Sequence, residues 1–427
     1  MGTETGVSIR NPAANNNLVG IAPTEGLVSR DGVVPISFTQ DRVGPLARTV
    51  TDAAIALDVI AGFDENDAVT ENSIGKIPEA GYTSLLSTTA LEGARIGVFR
   101  DLFRSGTVHE ESLAIIENAI EDFEAEGATI IDDVSLGIDL FDFLDDARVN
   151  IYEFKFALND YLESLGSDAP VKTLQDIIDD GRYLPRLRNS LVFSQSIESF
   201  EDNPQYVERL SRREFLRDAT IEVMEELDLD ALIYPMKTVP APIIGETPPE
   251  SDNSFTSIAG LPGIVVPAGF TSQGLPVGLE IAGFPFSEAS LLGFAYDYEQ
   301  ATEHRNSPDS LVEVGNRIYA GSGDDTLILG NGDRLVGGEG ADKFFTTNGG
   351  DNIITGGEGA DQFWIATAEL PESANIITDF TSGEDVLGIA GLGVGFDDLS
   401  ITQQEDNTLI TANNSELAIL QGVGADN

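Results

Sequence analysis

The chain has no cysteine. That excludes a disulfide framework, thiol catalysis and cysteine-ligated zinc. Basic residues are scarce: 23 Lys and Arg stand against 73 Asp and Glu, for a formal net charge of −50. So acidic a surface repels phosphate backbones and anionic lipid, which argues against nucleic-acid and membrane-surface partners; it suits solubility, cations and a saline medium. No apolar run reaches the roughly 20 residues of a membrane-spanning helix, so no membrane insertion is expected. No basic, apolar signal peptide opens the chain. Histidine is almost as rare, at two residues. His109 opens an acidic amphipathic stretch and reads as a surface capping residue, and His304 reads as part of an interdomain connection. A Ser-His-Asp triad therefore has no good candidate base, and no Gly-x-Ser-x-Gly elbow occurs.

The chain is 427 residues long and 41% hydrophobic, enough for two or three units with a sizeable core. Residues 1–305 read as α/β. Thr49 can cap a helix with Asp52 three residues on, after which Val50, Ala53, Ala54, Leu57 and Ile60 share one face and Gly62 can end it. Arg95–Phe99 and Ala128–Val134 read as strands flanking a helix marked by Leu113, Ile116, Ile120 and Phe123. Residues 140–230 read as helical and highly charged, with breaks near Gly166, Pro185 and Pro204. Strands return at Ala231–Tyr234, Gly263–Pro267 and Pro276–Ile281, a proline-rich loop fills 235–250, and a helix spans Glu288–Thr302.

Composition changes after residue 306. Residues 306–314 read as a linker, beginning Asn306-Ser-Pro-Asp. In 315–369 glycine, aspartate and asparagine dominate, and three similar runs occur: Gly321-Ser-Gly-Asp-Asp-Thr-Leu, Gly337-Gly-Glu-Gly-Ala-Asp-Lys-Phe and Gly356-Gly-Glu-Gly-Ala-Asp-Gln-Phe. A period near nine ending on an apolar residue predicts a solenoid with Leu327, Phe344 and Phe363 inside. Residues 370–427 read as a small β unit, with candidate strands at 376–380, 385–389, 399–401 and 417–420.

Those runs resemble the hemolysin-type (RTX) calcium-binding nonapeptide. The resemblance implies an all-β parallel β-roll with structural Ca2+ as its cofactor. Glycine carbonyls in tight turns, at Gly321, Gly323, Gly338, Gly340, Gly357 and Gly359, would join the carboxylates of Asp325, Asp342 and Asp361 to supply the six to eight hard oxygens calcium takes. With full units beginning at Ala320, Gly337 and Gly356, the intervening units put Arg334 and Asn352 at the aspartate position, and one of them is a residue short. About two calcium sites along one edge are expected, with Arg334 a fixed cation on the other. The resemblance also implies an extracellular protein exported by type I secretion, with residues 370–427 as the signal region.

At the other end, Gly2-Thr-Glu-Thr-Gly-Val-Ser-Ile-Arg-Asn-Pro-Ala brings a serine into a small-residue turn with a proline behind it, a way to expose a nucleophile backed by free amides. With Leu18 to Arg30, Gln40-Asp-Arg-Val-Gly-Pro-Leu-Ala-Arg-Thr, Asp230-Ala-Leu-Ile-Tyr-Pro and Leu261-Pro-Gly-Ile-Val-Val-Pro, it makes residues 1–305 resemble the amidase signature family. The resemblance implies an α/β fold, a mixed sheet flanked by helices, and hydrolysis of a small amide substrate. It makes Ser8 the nucleophile, with an oxyanion hole formed by the backbone amides of Thr5, Gly6 and Val7, together with that of Ser8. Arg10 and Asp41 would be structural partners. No organic cofactor is implied.

Two features depart from the family pattern. Val7 stands where a glycine is usual, and a β-branched residue would distort a turn that needs positive φ. The family's base lysine and its bridging serine, in a Gly-Gly-Ser-Ser-Gly-Gly stretch, precede the nucleophile. No such stretch occurs in this chain, and Lys76, Lys155, Lys172, Lys237 and Lys343 sit in no matching context. The expectation is an amidase-like domain truncated at its N-terminus, its missing part absent or supplied by a separate amidase fragment. The alternative is a non-catalytic, secreted calcium-binding protein on a degenerate amidase scaffold. Tyr152, Phe154, Tyr161 and Tyr183 are candidate pocket residues, or ordinary core aromatics.

Overall fold

A computed structural model describes residues 1–242, 253–306, 317–346, 349–367, 370–391, 393, 395, 398–404, 406–413 and 415–425. The expected linker therefore falls almost wholly outside the described residues, as does much of the proline-rich loop. The chain forms two compact units, 1–306 and 307–427.

In the first unit the strands are β1 (Gly2–Glu4), β2 (Val19–Ala22), β3 (Arg42–Gly44), β4 (Leu46–Ala47), β5 (Arg95–Phe99), β6 (Thr129–Val134), β7 (Ala231–Pro235), β8 (Gly263–Phe270) and β9 (Pro276–Ala282). One sheet runs β4-β2-β8-β9-β7-β5-β6 and β1 pairs with β3 alone. β5 lies parallel to β6 and β7, whereas β7, β8, β9 and β2 pair antiparallel, so the sheet is mixed.

Helices cover both faces because successive strand residues point to opposite sides. On one face Ile264 and Val266 of β8 meet α2 (Val50–Ile60), α3 (Glu110–Ala125) and α10 (Glu288–Thr302). Helix α2 forms as its sequence dictates: Thr49 Oγ1 accepts from the Asp52 amide at 3.1 Å, and Val50, Ala53, Ala54 and Leu57 are buried. On the other face Phe99, Leu232 and Tyr234 pack with α4 (Leu140–Asp146), α8 (Pro204–Glu226) and α9 (Phe255–Ala259). The expected break near Pro204 separates α7 from α8, and Pro204 takes the first turn of α8, as suits a residue with no N–H to offer. Helices α5 (Asn150–Ser164), α6 (Leu174–Asp180) and α7 (Arg188–Ser196) complete the charged middle region.

Val265, between Ile264 and Val266, faces the opposite way and meets Val7 and the short α1 (Arg10–Asn15). That helix lies close on β9 because Gly278 has no side chain; a Cβ there would stand 2.7 Å from the Ala14 Cβ. The turn bearing Ser8 thus sits on a rigid sheet face. Among the described residues no helix is long and apolar enough to cross a membrane.

The second unit winds between two parallel sheets. β10 (Arg317–Ser322), β12 (Arg334–Glu339), β14 (Ile353–Glu358) and β16 (Asn375–Ile377) make one; β11 (Thr326–Leu329), β13 (Lys343–Thr346), β15 (Gln362–Thr367) and β17 (Val386–Ala390) make the other. β18 (Leu399–Gln404), β19 (Asn407–Ala412) and β20 (Ser415–Leu420) extend the first sheet, with β20 parallel to β16 and β18–β19–β20 antiparallel. Both parallel sheets run on past residue 369. Leu327, Phe344, Phe363 and Leu387 stand in register on one inner face, and the Phe344 and Phe363 rings stack at 5.2 Å and 6°. The turns need glycine: Gly338, Gly340, Gly357 and Gly359 all have positive φ, and a Cβ on any of them would collide with a carbonyl oxygen of the turn before.

Candidate functional site

Ser8 is exposed, at the end of a turn in which three successive carbonyls are anchored. The Thr5 carbonyl accepts from Gln40 Nε2 at 3.1 Å, the Gly6 carbonyl from Arg10 Nη2 at 2.7 Å, and the Val7 carbonyl from the Asn11 amide at 2.9 Å. In a trans peptide the N–H points opposite to the C=O. The amides of Gly6, Val7 and Ser8 therefore turn away from these anchors, and none of them donates a hydrogen bond among the described residues. The Thr5 hydroxyl donates to Asp41 Oδ1 at 2.5 Å. Asp41 Oδ2 accepts from the Ile36 and Ser37 amides at 2.7 and 2.9 Å. Burial pushes the Asp41 carboxyl up, opposed by these hydrogen bonds.

Beneath the turn lies a buried, charge-balanced cluster. Arg10 Nε donates to Glu4 Oε1 at 2.9 Å, and its Nη1 to both oxygens of Glu280 at 2.7 and 2.8 Å. Arg42 Nη2 reaches Glu4 Oε1 at 3.0 Å, and Glu4 Oε2 accepts from the Ile9 and Arg10 amides at the start of α1. Burial alone would raise the Glu4 carboxyl, but Arg10, Arg42 and the two amides outweigh it and hold it below its ordinary value. Glu280, with Arg10 as its nearest cation, is pushed up by burial.

Two buried groups tie this turn to the helical middle region. Gln40 Oε1 accepts from the Val149 and Asn150 amides, at 3.0 and 3.2 Å, where α5 begins. Glu153 on α5 accepts from Ser37 Oγ, from the Thr39 amide at 3.2 Å and from the Tyr206 hydroxyl of α8 at 2.7 Å. Beside Asp41 opens a cavity of about 220 Å³ bordered by Arg30, Val33, Phe38, Asp160 and Tyr161.

In the C-terminal unit a ladder joins one acidic residue per turn. The Asp325 amide donates to Asp342 Oδ1 at 2.8 Å, the Asp342 amide to Asp361 Oδ1 at 2.9 Å, and the Asp361 amide to Asp385 Oδ1 at 2.9 Å. The second oxygens of Asp325 and Asp342 are buried without a hydrogen-bond partner. Burial first, then the neighbouring Asp385, Asp342 and Asp379, push the Asp361 carboxyl up to about 6. Among the described residues no three acidic or histidine side chains converge as a metal cluster. A cation here would draw most of its ligands from turn carbonyls. The unpartnered oxygens and the carbonyls crowding the side-chain-free glycines fit a hard cation such as calcium.

The family model described as Amidase matches residues 1–292. The chain belongs to the amidase family. A protein of Arabidopsis thaliana named as a probable amidase is 34% identical over 318 residues, covering 72% of this chain and 57% of its own length. The solved native peptide amidase from Stenotrophomonas maltophilia superposes with a TM-score of 0.63 at 35% identity, over 72% of this chain and 63% of that one. A solved amidase family protein from Bacillus anthracis superposes with a TM-score of 0.61 at 30% identity, over 72% of this chain and 58% of that one. This amidase-family chain thus spans roughly three-fifths of the length of these relatives.

Several expectations change. Val7 does not adopt positive φ, so the β-branched residue fits its turn without backbone strain. His109 is 8% exposed and its Nδ1 lies 2.9 Å from Thr238 Oγ1, so it is an interior residue rather than a surface cap. Tyr152 packs with Phe193 and Tyr206 in the helical region and is a core aromatic, whereas Tyr161 borders the cavity beside Asp41. On the second edge of the coil Asp333, not Arg334, holds the ladder position. Its amide donates to Asn352 Oδ1 at 2.7 Å, and Leu335 two residues on is buried, as Phe344 is two residues after Asp342. The short intervening unit shifts the register by one. Counting back two residues from each inward apolar position would have found it. Gln40 opens a family-like run, but nothing local marks its role or those of Glu153 and Glu280, whose partners are far away in sequence.

Proposed function

We propose that this chain is an amide hydrolase with Ser8 as nucleophile, acting on a small amide such as a peptide amide, and that its C-terminal unit holds calcium. The observation that carries the first part is the set of three anchored carbonyls, which leaves the Gly6, Val7 and Ser8 amides free beside the Ser8 hydroxyl. Ser8 Oγ gives its proton to the base and attacks the substrate carbonyl, and the oxygen that takes up the negative charge is received by those amides. Collapse of the adduct breaks the C–N bond, the amine leaves with a proton from the base, and water hydrolyses the acyl-serine. One such donor is commonly worth about 10²–10³ in kcat. Ser8 Oγ has no hydrogen-bond partner among the described residues, so no base is in contact with it there. By resemblance the base is a lysine acting through a bridging serine, and the partner proposed is a polypeptide that brings this pair to Ser8. Likeness to the peptide amidase supports the substrate class.

The calcium reading rests on the unpartnered Asp325 and Asp342 oxygens and on the glycine turns. About two sites, Asp325–Asp342 and Asp342–Asp361, would bind turn against turn, and folding would be linked to the metal. Extracellular location by type I secretion is proposed with it. Ammonia release from a peptide amide, by the purified chain and by the chain with its co-purifying polypeptides, tests the enzyme reading. Turnover lost in Ser8→Ala supports it; equal turnover by Ser8→Ala, or none in either preparation, removes it. Calorimetric titration with CaCl2 tests the metal: about two tight sites support the reading, and four or more, or none, reject it.

A further inference from the structure

The two edges of the C-terminal coil solve one electrostatic problem in two ways. Each edge stacks turns whose carbonyl oxygens face ladder side chains, and acceptors facing acceptors need something positive between them. On the Asp325–Asp342–Asp361 edge backbone amides reach only one oxygen of each ladder carboxylate, and among the described residues no side chain supplies the rest: Asp342 is fully buried and its Oδ2 has no partner. On the Asp333–Asn352–Asn375 edge the protein supplies it throughout. Asn352 Nδ2 donates to the Gly330 carbonyl at 3.1 Å and to Asn375 Oδ1 at 2.7 Å. Asn375 Nδ2 donates to the Leu417 carbonyl at 3.3 Å, and Asp333 Oδ2 accepts from the Gly330 amide at 2.6 Å. Arg334 Nη1 donates to the carbonyls of Gly332, Asp333 and Asp351 at 3.1, 3.2 and 2.9 Å.

We propose that Asn352 and Asn375, with the Arg334 guanidinium, take the place of a divalent cation along the second edge, so that only the first edge requires calcium. This rests on the calcium reading above and adds which residues decide where the metal goes. A side-chain amide is isosteric with a carboxylate but turns one acceptor into a donor. One edge is then held without metal, and the other closes when calcium fills the space at Asp342. At the Asn352 and Asn375 turns the identity of one atom, oxygen or nitrogen, sets the metal requirement, while Asp333 Oδ2 is met by the Gly330 amide.

The chain's single tryptophan, Trp364 on β15, reports this unit within the whole protein. Its fluorescence is followed on heating the full chain in EGTA and in CaCl2. The wild type is expected to melt higher in calcium. Asp342→Asn with Asp361→Asn should melt alike in both and no lower than the wild type in EGTA. Asn352→Asp should melt lower than the wild type in EGTA and regain the loss in calcium, while Arg334→Ala should lose stability equally in both. If the wild type ignores calcium, the calcium reading itself fails and this inference with it. If the wild type responds but the double variant keeps the full response, or Asn352→Asp is no weaker in EGTA, this inference alone is overturned. Should the double variant not fold, Asn352→Asp and Arg334→Ala decide the matter.

Discussion

Replacing Arg10 by alanine should destabilise the first unit through the charge it leaves behind. Arg10 is completely buried and holds three acceptors: Glu4 Oε1 at 2.9 Å, Glu280 at 2.7 and 2.8 Å, and the Gly6 carbonyl at 2.7 Å. Glu4 keeps Arg42, but Glu280 is left with the Thr256 hydroxyl at 3.0 Å and, among the described residues, no cation in hydrogen-bond contact. Removing one partner of a buried pair costs about 3–5 kcal/mol, mostly from the stranded charge. That is a large part of a domain's typical 5–15 kcal/mol. Urea unfolding followed by circular dichroism at 222 nm reads this unit, because every α-helix among the described residues lies within residues 1–306. The midpoint should fall with little change in slope. Arg10→Ala with Glu280→Gln, which removes the stranded carboxylate, should be more stable than Arg10→Ala alone. Arg10→Lys keeps the charge but not the planar fork and should fall between wild type and alanine. A loss below about 1 kcal/mol for Arg10→Ala, or a double variant weaker than the single one, would refute the argument from uncompensated charge.

Gln40→Glu can still accept from the Val149 and Asn150 amides but cannot donate to the Thr5 carbonyl. Buried beside that carbonyl, with no cation in hydrogen-bond contact among the described residues, the new carboxylate should lower the melting temperature as well as kcat, the latter by roughly tenfold or more, the equivalent of one hydrogen bond of about 1.4 kcal/mol, and Gln40→Ala should also lose both. Phe363→Ala removes a fully buried ring stacked on Phe344 and should cost about 3–5 kcal/mol in the Trp364-monitored transition, leaving the helical transition unchanged. Asp361 titrates near 6 in the fold against an ordinary 3.8, so the folded state holds the proton more tightly. Its contribution is favourable below pH 4 and lost as pH rises through 6, and in EGTA the Trp364 transition should weaken over that window. A transition that strengthens with pH there would contradict the burial of Asp361.

Local signals were enough where structure is made locally. The cap at Thr49 and the spacing of Val50, Ala53, Ala54 and Leu57 mark α2 in the sequence as they do in the fold. The phased Leu327, Phe344 and Phe363 mark the interior of the coil. Residues whose roles depend on distant partners were not legible. Gln40 looks like any polar residue until α5 arrives 109 positions later, and His109 reads as exposed until Thr238 covers it. Asp333 was missed for a different reason: a turn one residue shorter than its neighbours moves the ladder position, which counting back two residues from the buried Leu335 locates and pairing with Asn352 bears out. The turn at Ser8 lies between these cases. Its motif names the nucleophile, but the anchors that free its amides come from Gln40 and Arg10 by way of Glu280, 270 residues from Arg10.

The most direct test of Ser8 is to catch the acyl group on it. The chain, with the polypeptides that co-purify with it, is quenched in acid during turnover of a peptide amide, digested with trypsin and mapped by mass spectrometry. The acyl mass is expected on the Met1–Arg10 peptide, at Ser8, and absent from Ser8→Ala. Substrate consumed while that peptide stays unmodified, or the acyl mass found on another residue, would contradict the account.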